Sequence, residues 1–310
     1  MIRKEVYAME AQAVLPALAD DLFLSEIHLA GTHDSATAFC NLRRIAQCQA
    51  LSVAQQLRAG VRLLDLRLVL KGGRFFLVHS RADCFTDETR TRRLLFGDVL
   101  ALCLQFLEAH PRETLVLSVK SDRGKEPADF FPVFYERFIR PDPGRWFLEN
   151  RVPRLAECRG KLVLLRRCGR PQSFETREKC GLDFSNWPDQ GARRRTEPVH
   201  IRLSERTSAD IQDRYRLPPA VKWQRAAKPF LDCAAPGENR ICLHFLSTCG
   251  RPRIPARTAV PVNAAFAAYP LRTDRAQGWF LLDFMDGALC EKIMLSNLRL
   301  YPVQTPEVSP

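Results

Sequence analysis

Short apolar runs alternate with polar stops along nearly the whole chain. Residues 27–31 lead into Thr32, His33 and Asp34, residues 61–64 into Asp65 and Arg67, residues 75–78 into His79, and residues 114–119 into Lys120 and Asp122. Residues 162–165 end at Arg166 and Arg167, residues 241–246 at Ser247, residues 279–282 at Asp283, and the weaker run 209–212 at Asp213. Runs this short, without long alternation of apolar and polar positions, predict strands of a parallel sheet covered on both faces. Between them, residues 52–57, 96–109 and 130–139 place apolar side chains at helical spacing, the first running into Gly60 and the second stopping at His110 and Pro111. Eight such strands are the number that closes a barrel. Residues 169–228 are rich in Pro, Arg and Gly and show no clear helix after Arg167, so the second half is expected to be irregular. No composition shift or internal repeat divides residues 1–310, and the expected fold is one α/β domain, a distorted (β/α)8 (TIM) barrel.

Composition narrows the class without choosing the function. With 310 residues, 46% hydrophobic and 26% charged, the chain is neither disordered, nor collagen-like, nor a disulfide mini-scaffold. The net charge of +12 is mostly arginine and suits a nucleic-acid surface, an anionic membrane surface or plain solubility. The longest basic run, Arg193 to Arg195, lies in a Pro- and Gly-containing stretch without aromatics, and no nucleic-acid-binding signature occurs, so no nucleic acid is expected. Eleven cysteines without a Cys-x-x-Cys pair, and an N-terminus interrupted by Arg3, Lys4, Glu5, Glu10 and Asp20, predict a reduced, cytoplasmic chain with neither signal peptide nor membrane span.

In a (β/α)8 barrel the working groups sit at the carboxyl ends of the strands, where the polar stops fall here. Two histidines are among them, His33 beside Asp34 and His79 after Val78. One can act as base and the other as acid, the minimum for in-line attack by a hydroxyl on a phosphodiester. His28, His110 and His200 are read as structural.

The stretch Leu29-Ala30-Gly31-Thr32-His33-Asp34-Ser35, then Gly60-Val61-Arg62-Leu63-Leu64-Asp65-Leu66-Arg67, then Phe76-Leu77-Val78-His79 resembles the catalytic X region of phosphatidylinositol-specific phospholipase C. The segments at 111–120, 160–167, 186–189, 211–215 and 278–284 are similar, in order, to the small single-domain bacterial members. Coverage is about residues 22 to 290, leaving 1–21 as an N-terminal extension and 295–310 as a tail.

The resemblance implies a phosphoric diester lyase that cleaves phosphatidylinositol, or a glycosylated derivative, to diacylglycerol and inositol 1,2-cyclic phosphate. It implies His33 as general base held by Asp283, His79 as general acid supported by Asp34, and Arg67 as the phosphate brace. Lys120, Asp122, Arg167 and Asp213 match positions that bind inositol hydroxyls, and Tyr215 matches an aromatic that stacks on the ring. Asp122 stands where a longer Glu is usual, and Arg166 is an alternative to Arg167 because only one of two adjacent strand residues faces the interior. Arg67 takes the place of a calcium ligand of the signalling relatives, so no metal or other cofactor is expected. The expected partner is an anionic phosphoinositide lipid at a membrane surface, met by a peripheral monomer, although residues 39–49 lack the rim tryptophans of secreted relatives. Those relatives make a secreted location the alternative to a cytoplasmic one. Two other readings stay open: an inositol-lipid binding protein with a decayed site, and a phosphodiesterase acting on a soluble substrate.

Overall fold

The computed structural model describes residues 10–170 and 179–302. Its strands are β1 (Leu29–Thr32), β2 (Leu63–Lys71), β3 (Arg74–His79), β4 (Ala82–Asp83), β5 (Leu115–Ser121), β6 (Trp146–Phe147), β7 (Leu162–Arg166), β8 (Leu182–Asp183), β9 (Val199–Arg202), β10 (Ser208–Gln212), β11 (Arg240–Phe245) and β12 (Trp279–Leu282). The helices are α1 (Ala11–Ala17), α2 (Arg43–Ala46), α3 (Val53–Ala59), α4 (Phe96–Ala109), α5 (Phe130–Phe134, extended by a π turn Tyr135–Ile139), α6 (Leu155–Cys158), α7 (Pro219–Val221), α8 (Lys228–Cys233), α9 (Pro255–Ala268) and α10 (Gly287–Leu300). Parallel pairing runs β8-β7-β5-β2-β1-β12-β11-β10, with β6 also on β7 and β9 antiparallel on β10. Eight parallel strands therefore curve into a barrel. Among the described residues no ladder joins β8 to β10, so the barrel is open at that seam.

Two assignments from the sequence change. Residues 75–78 are not a barrel strand: β3 folds back antiparallel on β2, pairing Leu68 with Leu77 and Lys71 with Arg74. The cause is the Gly72-Gly73 pair, both at positive φ (55° and 66°), which makes the tight turn that a hairpin requires. The missing barrel strand is β8, whose two residues leave no apolar run to see. The crossover from β8 to β10 carries β9 where a helix would otherwise stand, so the irregular second half is real.

Local signals place the early helices. Ser52 caps α3 by accepting from Gln55 N–H while Gln55 Oε1 accepts from Ser52 N–H, and Gly60 at φ 106° ends it. At the amino end of the barrel Arg62, fully buried, pairs in a two-pronged way with Glu113 (2.6 and 2.7 Å) and also donates to the carbonyls of Leu57 and Val61. A buried guanidinium with all three nitrogens engaged fixes the start of β2 against the start of β5.

The first and last described segments, residues 11–18 and 295–300, are integrated. Ala11, Val14, Leu15 and Leu18 of the expected N-terminal extension are buried in the main core. Residues 295–300, expected in the tail, are the last turns of α10, where Asn297 donates to the His28 carbonyl and accepts from His28 N–H. His28 itself accepts from Gln277 N–H at Nε2 and contacts Ser296 Oγ at 2.7 Å through Nδ1. Burial, with a further push from His244, lowers its pKa to about 3, so it is a neutral strut.

Candidate active site

Strand ends bring the site together. The ladders set β1 beside both β2 and β12, so His33, Asp65, Arg67 and Asp283 meet above the barrel, while the β2–β3 hairpin carries His79 in from the side. The register of β2 against β5 sets Lys120 opposite Arg67. Three residues in left-handed backbone, Asp34 (φ 45°), Ser80 (φ 53°) and Phe284 (φ 49°), directly follow His33, His79 and Asp283. A side chain at positive φ costs about 1–2 kcal/mol, and here each such residue turns the chain sharply so that the preceding side chain points into the opening.

Asp34 is the hub. Its buried carboxylate takes Arg67 Nε at 2.8 Å on Oδ1, while Oδ2 lies 3.0 Å from His33 Nε2 and 3.2 Å from His79 Nε2. The sequence assigned it to His79 alone; the structure sets it against both histidines and the arginine. His33 Nδ1 meets Asp283 Oδ1 at 2.7 Å. The imidazole nitrogen facing the pocket also lies 2.9 Å from Arg67 Nη2. A protonated Nε2 donates to Asp34, and a neutral one accepts from Arg67, so both states have a partner in place. Burial opposes charge on His33, but Asp34 and then Asp283 outweigh it and raise its pKa to about 9. His79 Nδ1 lies 2.7 Å from the Ala46 carbonyl, which can only accept, so Nδ1 carries a proton and Nε2 faces the pocket.

Asp65 was read only as part of a motif, yet it organises the cations. It meets Arg67 at 3.4 Å and Arg167 at 3.1 Å and accepts from Asp34 N–H. Against its burial, the two guanidiniums hold its carboxyl well below the usual carboxylate range. Alternation along β2 puts Asp65 and Arg67 on the same face, which is the signal that could have found it.

His33, Arg67, His79 and Asp283 line a pocket of about 450 Å³ with Lys120, Asp122, Arg167, Trp187, Asp213 and Tyr215. Arg167 is the inward residue of its pair, packed 3.7 Å over the Trp187 ring. The alternative, Arg166, points away: it donates to the carbonyls of Cys168 and Cys180 and pairs with Asp183 at 2.9 Å. Burial, and repulsion from Arg167 and Arg67, lower the Lys120 pKa, while burial raises that of Asp213. Asp122 is in the wall, but both its oxygens are taken, by Ser80 N–H (2.9 Å) and Arg123 N–H (2.7 Å). It therefore braces the turn behind His79. Tyr215 donates to Asp189 at 2.6 Å at the pocket mouth. Gln49 was not anticipated: its amide donates to the carbonyls of His33 and Leu282 and accepts from Met285 N–H, tying the ends of β1 and β12 together.

Comparison with known proteins follows the same lines. Residues 31–168 match the family model described as phosphatidylinositol-specific phospholipase C, X domain. A 1-phosphatidylinositol phosphodiesterase of Listeria monocytogenes is 24% identical over 304 residues, covering 91% of this chain and 84% of its own. Another from Staphylococcus aureus is 29% identical over 161 residues, 49% of each chain. Among solved structures, the phosphatidylinositol-specific phospholipase C of Listeria monocytogenes superposes with a TM-score of 0.73 at 21% identity, covering 93% of this chain and 99% of that one. A Staphylococcus aureus phosphatidylinositol-specific phospholipase C gives 0.74 at 20% identity over 93% and 97%. The resemblance seen in the sequence stands, and the fold is the distorted barrel of those bacterial proteins.

Proposed function

We propose, on an X-domain resemblance that spans residues 31–168, that this protein is a phosphatidylinositol-specific phospholipase C working without a metal. The observation that carries the reading is the convergence of His33, His79 and Arg67 on the one buried carboxylate of Asp34. In the reaction the inositol 2-hydroxyl loses its proton to neutral His33 and its oxygen attacks phosphorus. The bond from phosphorus to the diacylglycerol oxygen breaks, and that oxygen takes the proton of His79. Inositol 1,2-cyclic phosphate and diacylglycerol leave, and the imidazolium of His33 is stabilised by Asp283. Arg67, fixed by Asp34 and Asp65, faces the charge that grows on the phosphoryl oxygens, and such a preorganised donor is worth about 3 kcal/mol. Its fixed charge between two carboxylates fills the part a cation would play. Lys120, Arg167, Asp213 and Tyr215 surround the headgroup, with Asp122 positioning the His79 turn.

The lipid is met at the surface. Among the described residues no helix is long and apolar enough to cross a membrane. Ile45 of α2 lines the pocket and is 59% exposed, the preceding Leu42 is 39% exposed, and Val260 of α9 is 67% exposed. Arg43 and Arg44 of the same helix are exposed, and so are Arg251 and Arg253, the latter lining the pocket with Ile45. Each basic residue near an anionic surface contributes about 1 kcal/mol. Leu42 and Ile45 thus stand in for the missing rim tryptophans.

The test is incubation with phosphatidylinositol in excess chelator, followed by phosphorus NMR. Cyclic inositol phosphate appearing at an undiminished rate supports the proposal. Loss of turnover in chelator would exclude metal independence, and binding without turnover would mark a decayed site.

A further inference from the structure

Cys48 has no part in the reaction above, yet its sulfur lies in the middle of it. The thiol is buried and lines the pocket, 3.8 Å from His79 Nδ1. Its backbone is fixed on both sides, Cys48 N–H donating to Thr37 Oγ1 at 2.9 Å and its carbonyl accepting from Phe284 N–H at 2.6 Å. Two sets of potential metal ligands share this sulfur. One is His33, Cys48 and Asp283, and the other is Asp34, Cys48 and His79, with the ligand atoms of each set within 4.8 Å of one another. Asp34 is not free for a cation, since Arg67, His33 and His79 engage both its oxygens.

The geometry points to an inhibitory site for a thiophilic divalent cation such as Zn²⁺, held by the Cys48 thiolate together with His33 and Asp283. Thiolate, imidazole and carboxylate are the ligand types that zinc takes, at about 2.0–2.3 Å in a tetrahedron, so the sulfur closes in while the His33–Asp283 pair, 2.7 Å apart, opens to admit the ion. Binding replaces the S–H proton of Cys48 and the Nδ1 proton of His33: the metal–sulfur and metal–nitrogen bonds form, the S–H and N–H bonds break, and two protons go to solvent, while Nε2–H stays on Asp34. Burial and the charges of Asp283 and Asp34 keep the metal-free thiol protonated. Those same carboxylates favour a cation beside the sulfur, which offsets the cost of deprotonation. Arg67 lies against Asp34 and the Nε2 side of His33 and repels a cation from there, leaving the Nδ1 side, with Cys48 and Asp283, as the place for it. The site engages His33, the proposed base, so occupancy blocks turnover. Only that consequence rests on the proposed function; the binding does not.

The test uses the full chain with the exposed Cys233 and Cys249 changed to Ser, with and without Cys48→Ser. Co²⁺ is titrated in and the thiolate-to-cobalt charge-transfer band is read. Zn²⁺ affinity is then measured by competition with a chromophoric chelator, and phosphatidylinositol cleavage is followed against Zn²⁺, each protein normalised to its own chelated rate. We expect the band only where Cys48 is present, Zn²⁺ binding weakened on the order of 100-fold by its removal, and a matching shift of inhibition. A band or inhibition unchanged in Cys48→Ser overturns the site, as does absence of Co²⁺ binding with Cys48 intact. A Cys48-dependent band in a protein that cleaves no phosphatidylinositol keeps the metal site and rejects the enzymatic reading.

Discussion

Asp283→Asn removes one charge from the site and almost no volume. Asp283 is buried, and its Oδ1 is the partner of His33 Nδ1 at 2.7 Å; an amide oxygen can still accept that hydrogen bond, so what is lost is the negative charge. With both carboxylates the His33 pKa is about 9 against an ordinary 6.5. At pH 7 about one free site in a hundred then holds the neutral base. Without Asp283, burial and Arg67 oppose only Asp34, and we expect the pKa to fall by at least about one unit, worth about 1.4 kcal/mol. The assay is kcat/KM for cyclic phosphate release from phosphatidylinositol in detergent micelles as a function of pH, which reports the free enzyme. The acid limb of wild type should level off only near pH 9 and move to lower pH in the variant, while the plateau drops by on the order of 10²–10⁴ because the imidazolium formed in the transition state has lost its carboxylate. Stability follows the same titration with a defined sign. The folded pKa is raised, so the contribution is complete below pH 6.5 and is lost as pH rises to about 9. It amounts to about 3 kcal/mol in wild type, with the His33 side chain only 14% exposed. Urea midpoints on either side of that window should differ more in wild type than in Asp283→Asn. An acid limb that stays in place while the rate falls would refute the reasoning, because Asp283 would then orient His33 without setting its basicity.

Three other outcomes are expected. Arg67→Lys keeps a charge but cannot reach Asp34, Asp65 and the phosphoryl group together, so kcat measured under substrate saturation should fall about 10²–10³-fold, with the circular dichroism spectrum unchanged. Glu113→Gln leaves the buried Arg62 charge without its carboxylate, and urea unfolding should show a loss of about 3–5 kcal/mol. Ile45→Asp on exposed α2 should weaken binding to anionic vesicles by roughly tenfold or more, the equivalent of about 1.5–3 kcal/mol of apolar burial, while cleavage of a soluble short-chain substrate changes little; equal vesicle binding would remove α2 from the membrane contact.

Legibility of the fold depended on the length of each signal. Helix α4 appears with its expected bounds because fourteen residues repeat one apolar spacing, while α3, expected over residues 52–57, runs Val53–Ala59 between its Ser52 cap and Gly60. The run at 75–78 looks the same whether its strand pairs in parallel or folds back, since periodicity carries no direction; Gly72-Gly73 was the local clue. Strand β8 is two residues long and is held as a strand by its neighbour β7, so nothing local announces it. At the site, His33, His79 and Asp283 were recognisable because each ends an apolar run. Asp122 shows how far identity falls short of role, for its residue type suggests a ring contact while its oxygens are spent on backbone N–H groups.

By itself, the sequence determined what depends on neighbours along the chain: strand-then-polar-stop units, the helices with strong caps, and the residue types gathered at the carboxyl ends of the strands. Only the tertiary structure decided which of those residues meet. Arg167 and not Arg166 faces the pocket because the ladder fixes the strand's rotation about its axis. Asp34 serves two histidines because β1, β2 and the hairpin arm of β3 converge there. Cys48 lies beside Asp283, 235 positions away in the chain, because Phe284 N–H donates to its carbonyl. Interactions along a strand or helix act over a few residues and leave a pattern in the sequence; contacts between strand ends come from the ladder register of distant segments, which no local pattern encodes.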